Sequence, residues 1–91
     1  MPKNTARALS ELLERENAFL QKLLDRRRIT KEDLKKIREL QEEKRGLIEK
    51  LLRLDRESIL SIWDDIKRLT MENVKNKELL LSLIQLYAPQ I

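Results

Sequence analysis

Leucines recur at helical spacing near the start of the chain. Leu9, Leu12, Leu13, Leu20, Leu23 and Leu24, with Phe19 alongside, fall on one face at a period of 3.6. Asn4 or Thr5 can cap this helix after Pro2, so it is expected over about residues 5–25. It then runs into Arg26-Arg27-Arg28, where cations suit the negative end of a helix macrodipole. Glu16 is the one charged residue within the stripe itself.

Ile29 and Thr30 carry the sharpest local signal. Thr30 reads as an N-cap, Asp33 stands where a capping-box partner belongs, and Ile29 with Leu34 occupies the two positions of a hydrophobic staple. Residues 26–30 are therefore expected to turn the chain into an antiparallel helical hairpin. A second stripe begins at residue 31: Leu34, Ile37, Leu40, Leu47, Ile48, Leu51 and Leu52, continued by Ile59, Ile62, Ile66 and Leu69. Unbroken up to Pro89, it would be a helix of about 57 residues and roughly 85 Å. The alternative is a break near residues 54–58, with Asp55 capping a further helix and the whole forming a three-helix bundle with a long C-terminal helix to about residue 87. No glycine or proline marks that break, and the pattern leaves both arrangements open.

Composition agrees with an all-α fold. Leu, Glu, Lys and Arg dominate, there is one glycine and there are two prolines, and only Phe19, Trp63 and Tyr87 are aromatic. The 91 residues make a single helical domain with a thin core. Charged residues reach 40%, yet both signs interleave and the net charge is only +4. The triplet Arg26–Arg28, with Lys31, Lys35, Lys36 and Arg38 nearby, is diluted by Glu32, Asp33 and Glu39 and has no aromatic residue to stack a base. Nucleic acid is not expected as a partner. Cysteine is absent, no apolar run approaches the length of a membrane span, and no signal-peptide core is present. The expectation is a cytoplasmic protein that does not insert into membranes.

Catalysis has little to work with. The chain has no histidine and no cysteine, and a lone glycine cannot build a phosphate-cradling loop. Glu42–Glu43 and Asp64–Asp65 are i,i+1 neighbours and share no helix face. Leu23-Leu24-Asp25-Arg26-Arg27 resembles a piece of the helical chorismate mutases, but Arg and Lys are abundant enough for that match to arise by chance. No catalytic residue, metal ligand or cofactor is expected.

Two other features point to binding. Four polar positions interrupt apolar stripes: Glu16, Lys44, Asn73 and Asn76. They fix helix register, with Glu16 and Lys44 pairing across the hairpin, or they line a groove where a partner docks. In addition, Glu78 to Tyr87 is apolar nearly all round, and Trp63, Met71 and Val74 lie off the Ile59–Leu69 stripe. A helix apolar on more than one side needs more than one neighbour. A second copy of the chain or a client helix would supply the missing one.

The order of four blocks is similar to a known family. These are Leu-Ser-Glu-Leu-Leu-Glu-Arg-Glu at 9–16, Ile-Thr-Lys-Glu-Asp-Leu at 29–34, Leu-Gln-Glu-Glu-Lys-Arg-Gly-Leu-Ile at 40–48 and Glu-Asn-Val-Lys-Asn-Lys-Glu-Leu-Leu at 72–80. Together they resemble the FlgN-type flagellar export chaperones of type III secretion. That resemblance implies a cytosolic protein that holds the C-terminal amphipathic helices of hook–filament junction proteins. It implies Glu16, Lys44, Asn73 and Asn76 as the matching polar positions. It places client binding on the C-terminal helix, around Val74, Leu80, Leu81, Leu83, Ile84 and Tyr87, beside Trp63 and Met71. The alternative expectation is a homo-oligomeric coiled-coil adaptor without a secretion role.

Overall fold

A computed structural model describes the backbone of residues 2–87 and the side chains of residues 3–86. Four helices follow in order: α1 (Pro2–Arg26), α2 (Lys31–Leu52), α3 (Arg56–Ser61) and α4 (Trp63–Tyr87). No strand occurs among the described residues. The three long helices form an elongated bundle of 48 × 20 × 19 Å. Within it α1 is the shared partner, packing most extensively on α4 and less so on α2.

α1 begins at Pro2, earlier than the expected residue 5, because proline is tolerated in a first turn whose N–H groups have no helical partner. It ends at Arg27, whose φ of 55° is left-handed and whose N–H donates to the carbonyls of Leu23 (3.0 Å) and Leu24 (3.3 Å). Glycine usually takes this position because a Cβ is strained there. The hairpin closes with the expected capping box. The Thr30 N–H donates to Asp33 Oδ2 at 2.9 Å, and the Asp33 N–H donates to Thr30 Oγ1 at 3.1 Å. The expected staple is not seen: Ile29 packs against the core, whereas Leu34 stays 57% exposed.

The break in the long stripe is real. Arg53 and Leu54 turn their N–H groups back onto Lys50 (3.3 Å) and Leu51 (3.1 Å), and Leu54 packs against the core. Asp55 is extended and accepts the Ser58 N–H at 2.7 Å, capping α3. A cap and an apolar anchor thus do the work of a turn without glycine. A second break follows at Ile62, which is non-helical (φ −115°, ψ 26°) and buried. Its carbonyl accepts from the Ile66 N–H at 3.0 Å and so opens α4, where Asp64 and Asp65 suit the positive end of the helix.

The core lies in two apolar clusters. One holds Ala6, Leu9 and Leu13 of α1 against Ile62 and Leu69, flanked by Leu47, Leu51, Leu54 and Ile66. The other holds Leu20 and Leu23 against Leu79 and Leu83, flanked by Phe19, Leu24, Ile29, Ile37 and Leu80. Each fully buried leucine contributes about 1.5–3 kcal/mol over an exposed one. α2 adds little, since Leu40 is its only buried residue.

Candidate functional site

Between the two clusters, midway along all three long helices, lies a polar layer. Glu16 is fully buried, and its Oε1 accepts from Gln41 Nε2 (2.9 Å), Lys44 Nζ (3.2 Å) and Asn76 Nδ2 (2.7 Å). Lys44 also donates to Asn76 Oδ1 at 3.0 Å. Asn76 Nδ2 donates in turn to Asn17 Oδ1 at 2.9 Å, and Asn17 Nδ2 reaches the Glu72 carbonyl at 3.2 Å and Glu72 Oε2 at 3.2 Å. Glu16 Oε2 has no hydrogen-bond partner. A buried charge pair costs hydration, and the convergence of amide and ammonium donors on one oxygen offsets that cost.

This layer can hold helices in register. Glu16, Asn17 and Asn76 are buried in it, and Lys44 reaches toward a shallow groove. Sliding α1 by one turn would set Glu16 against leucines. Glu16, Lys44 and Asn76 therefore meet one another inside the molecule, which is the register alternative of the sequence reading. Asn73 bonds none of them. It sits half-buried beside Lys44 at a shallow groove between α2 and α4, next to Ile48, Leu51 and Leu69. Asn17, Gln41 and Glu72 belong to the layer and were missed. Asn17 and Gln41 each lie within a turn of a seam residue already singled out, which is the signal that could have found them.

The second candidate is the outer face of α4. At roughly 100° per residue, Trp63, Met71, Val74, Leu81 and Ile84 fall within an arc of about 140°, and Leu69, Asn76, Leu79 and Leu83 fall on the other side. The first five are between half and three-quarters exposed. Leu60 of α3, also exposed, extends the stripe at one end. Two residues expected on the binding surface are placed elsewhere. Leu83 is only 5% exposed in the cluster with Leu20 and Leu23, and Leu80 is half-buried against it. Both point toward α1, because that is where the first helix lies. The side chain of Tyr87 is outside the described residues.

Among the described residues no cluster of His, Cys, Asp or Glu could hold a metal ion, and no helix is long and apolar enough to cross a membrane. The fold and its surfaces define a small helical bundle with an unpartnered apolar helix face. Compared with protein-family profiles, curated proteins and solved structures, the chain shows no significant match to any.

Proposed function

We propose that this protein is an export chaperone of the FlgN type, working in the cytosol, which holds an amphipathic C-terminal helix of a flagellar junction protein along α4. One observation carries the reading. α4 is packed on one side and on the other presents Trp63, Met71, Val74, Leu81 and Ile84, interspersed with Lys67, Thr70, Lys77 and Glu78, over about 31 Å at 1.5 Å per residue. A client helix of about 20 residues matches that length, with a few large apolar anchors burying most of the contact energy. Further support comes from the blocks that carry the resemblance: Glu16, Lys44 and Asn76 stand in three of them and bond to one another.

The test is titration of the whole chain with a labelled peptide of a junction protein's C-terminal helix. Val74→Asp with Leu81→Asp should abolish capture while leaving the helical circular dichroism and melting unchanged, since both residues are exposed. Absence of binding by the parent chain, or undiminished binding by the double variant, would overturn the proposal. A second reading has its own support. Val74, Leu81 and Ile84 occupy a, a and d of one heptad frame, with Thr70 and Lys77 at its other d positions, so a second copy could cover the same face. A homo-oligomeric adaptor predicts a melting temperature that rises with protein concentration and no need of a client.

A further inference from the structure

A second surface lies on the other side of the hairpin, between α1 and α2, and no residue of α4 lines it. It is an open cleft of about 790 Å³. Its floor is apolar: Ala18, Phe19, Leu23 and Leu40. Its rim is cationic, with Arg15, Lys22 and Arg26 along α1 and Lys36 across on α2. Asp33 is the only carboxylate among the lining residues, and it is already committed to the Thr30 N–H and to Arg26 Nη2 at 2.9 Å each. Arg15 reaches Glu43 only at 3.8 Å, with both side chains more than half exposed. Lys22 makes no ion pair among the described residues. Asp33 thus offsets Arg26 and Glu43 partly offsets Arg15, while Lys22 and Lys36 have no carboxylate partner among the described residues, so the rim keeps a net positive charge.

We propose that this cleft docks an acidic amphipathic helix of a partner protein, at a site separate from the face of α4. Charge selects the sign of the occupant. A second copy of this chain carries a net +4, and its exposed α4 face mixes Lys67 (paired with Asp64), Lys77 and Glu78, so it lacks the run of carboxylates that this rim would select. Geometry selects the shape. The α1 cations are spaced by seven and four residues, about 10 Å and 6 Å along the axis. Carboxylates at i, i+7 and i+11 of a helix laid along the cleft repeat those intervals, and its apolar stripe between them meets exposed Ala18 and half-buried Phe19, above the buried Leu23. The Lys36 ammonium lies 4.5 Å from the Phe19 ring centroid and so holds a cation beside the apolar floor.

The experiment uses the whole chain and a labelled helical peptide of Leu, Ala and Glu, with glutamates at those intervals flanking a leucine stripe. Its companions are the same peptide with Lys for Glu and an isomer of equal charge broken by proline. The acidic helix should bind, and more weakly as salt rises, while the Lys peptide should not bind. Lys22→Glu with Lys36→Glu should weaken binding by about tenfold or more, since it replaces the two unpaired rim cations with carboxylates that repel the acidic helix. Arg15→Glu should weaken it less, and Val74→Asp with Leu81→Asp should leave it unchanged, which separates this site from the face of α4. Equal binding of acidic and Lys peptides, equal binding of the proline-broken isomer, or indifference to the cleft substitutions would overturn the proposal. So would capture of vesicles of three parts phosphatidylcholine to one part phosphatidylglycerol, through the same lysines, in place of the peptide.

Discussion

Lys44→Met keeps the length of the side-chain stem but removes the ammonium that bonds Glu16 Oε1 at 3.2 Å. Glu16 is fully buried and has no route to water, so its carboxylate would retain only the amides of Gln41 and Asn76. Breaking a buried pair from one side costs about 3–5 kcal/mol. The Lys44 side chain is 12% exposed, so the hydration recovered is partial and the lower end, about 3 kcal/mol, is expected. That is a large part of a stability of roughly 5–14 kcal/mol for a chain of this length. It corresponds to a fall in Tm on the order of 12–24 °C. Glu16→Leu should cost less, about 1–2 kcal/mol, because the lysine left behind extends its amine to solvent. The double substitution removes both charges and should be at least about 2 kcal/mol more stable than the sum of the single losses. Urea unfolding of the four proteins measures all three quantities. A Lys44→Met protein within about 0.5 kcal/mol of the parent, the range of an ordinary surface change, would refute the reasoning. Additive single effects would do the same.

Four more outcomes are expected. Gly46→Ala, in the middle of α2 with open space around the new Cβ, should stabilise by about 1 kcal/mol in the same assay. Arg27→Gly should also stabilise, by about 1 kcal/mol, because it relieves the left-handed backbone at φ 55°. Leu23→Ala should cost about 2–5 kcal/mol, whereas Leu81→Ala on the outer face of the same bundle should change urea unfolding by no more than about 0.5 kcal/mol. Asp33 and Asp55 are held below the usual carboxylate value of 3.8, chiefly by the backbone N–H groups of Thr30 and Ser58. The stability they contribute is complete above that value and is lost as pH falls through their lower folded values, so Asp33→Asn should flatten the acid limb of a Tm–pH curve.

Local chemistry was legible in the residues, and arrangement in space was not. The stripe of α1 and the Thr30–Asp33 cap depend on neighbours within one turn, and the sequence pattern located both. The connection at Arg53–Asp55 rests on an aspartate cap and a leucine anchor, a signal too weak to choose between a rod and a bundle. The break at Ile62 carries no turn residue at all. On α4, Leu79, Leu80 and Leu81 are chemically identical neighbours, and their roles differ only because α1 lies on one side. Asn73 and Asn76 likewise sit about 60° apart on the helix, far enough for one to join the Glu16 layer and the other to face the α2 groove. Leu83 is turned toward Leu20 and Leu23 of α1 for the same reason.

The most extensive helix contact joins α1 to α4, the first and last of the four helices. Residues such as Asn17 and Glu72 that bond across it are 55 positions apart. At a synthesis rate of roughly 5–20 residues per second, the opening helix waits several seconds for its main neighbour. During that interval the hairpin of α1 and α2 shows Leu9, Leu13 and Leu20 to the surrounding medium. A nascent chain of this protein is thus itself a sticky segment in need of cover, until its own last helix arrives to provide it.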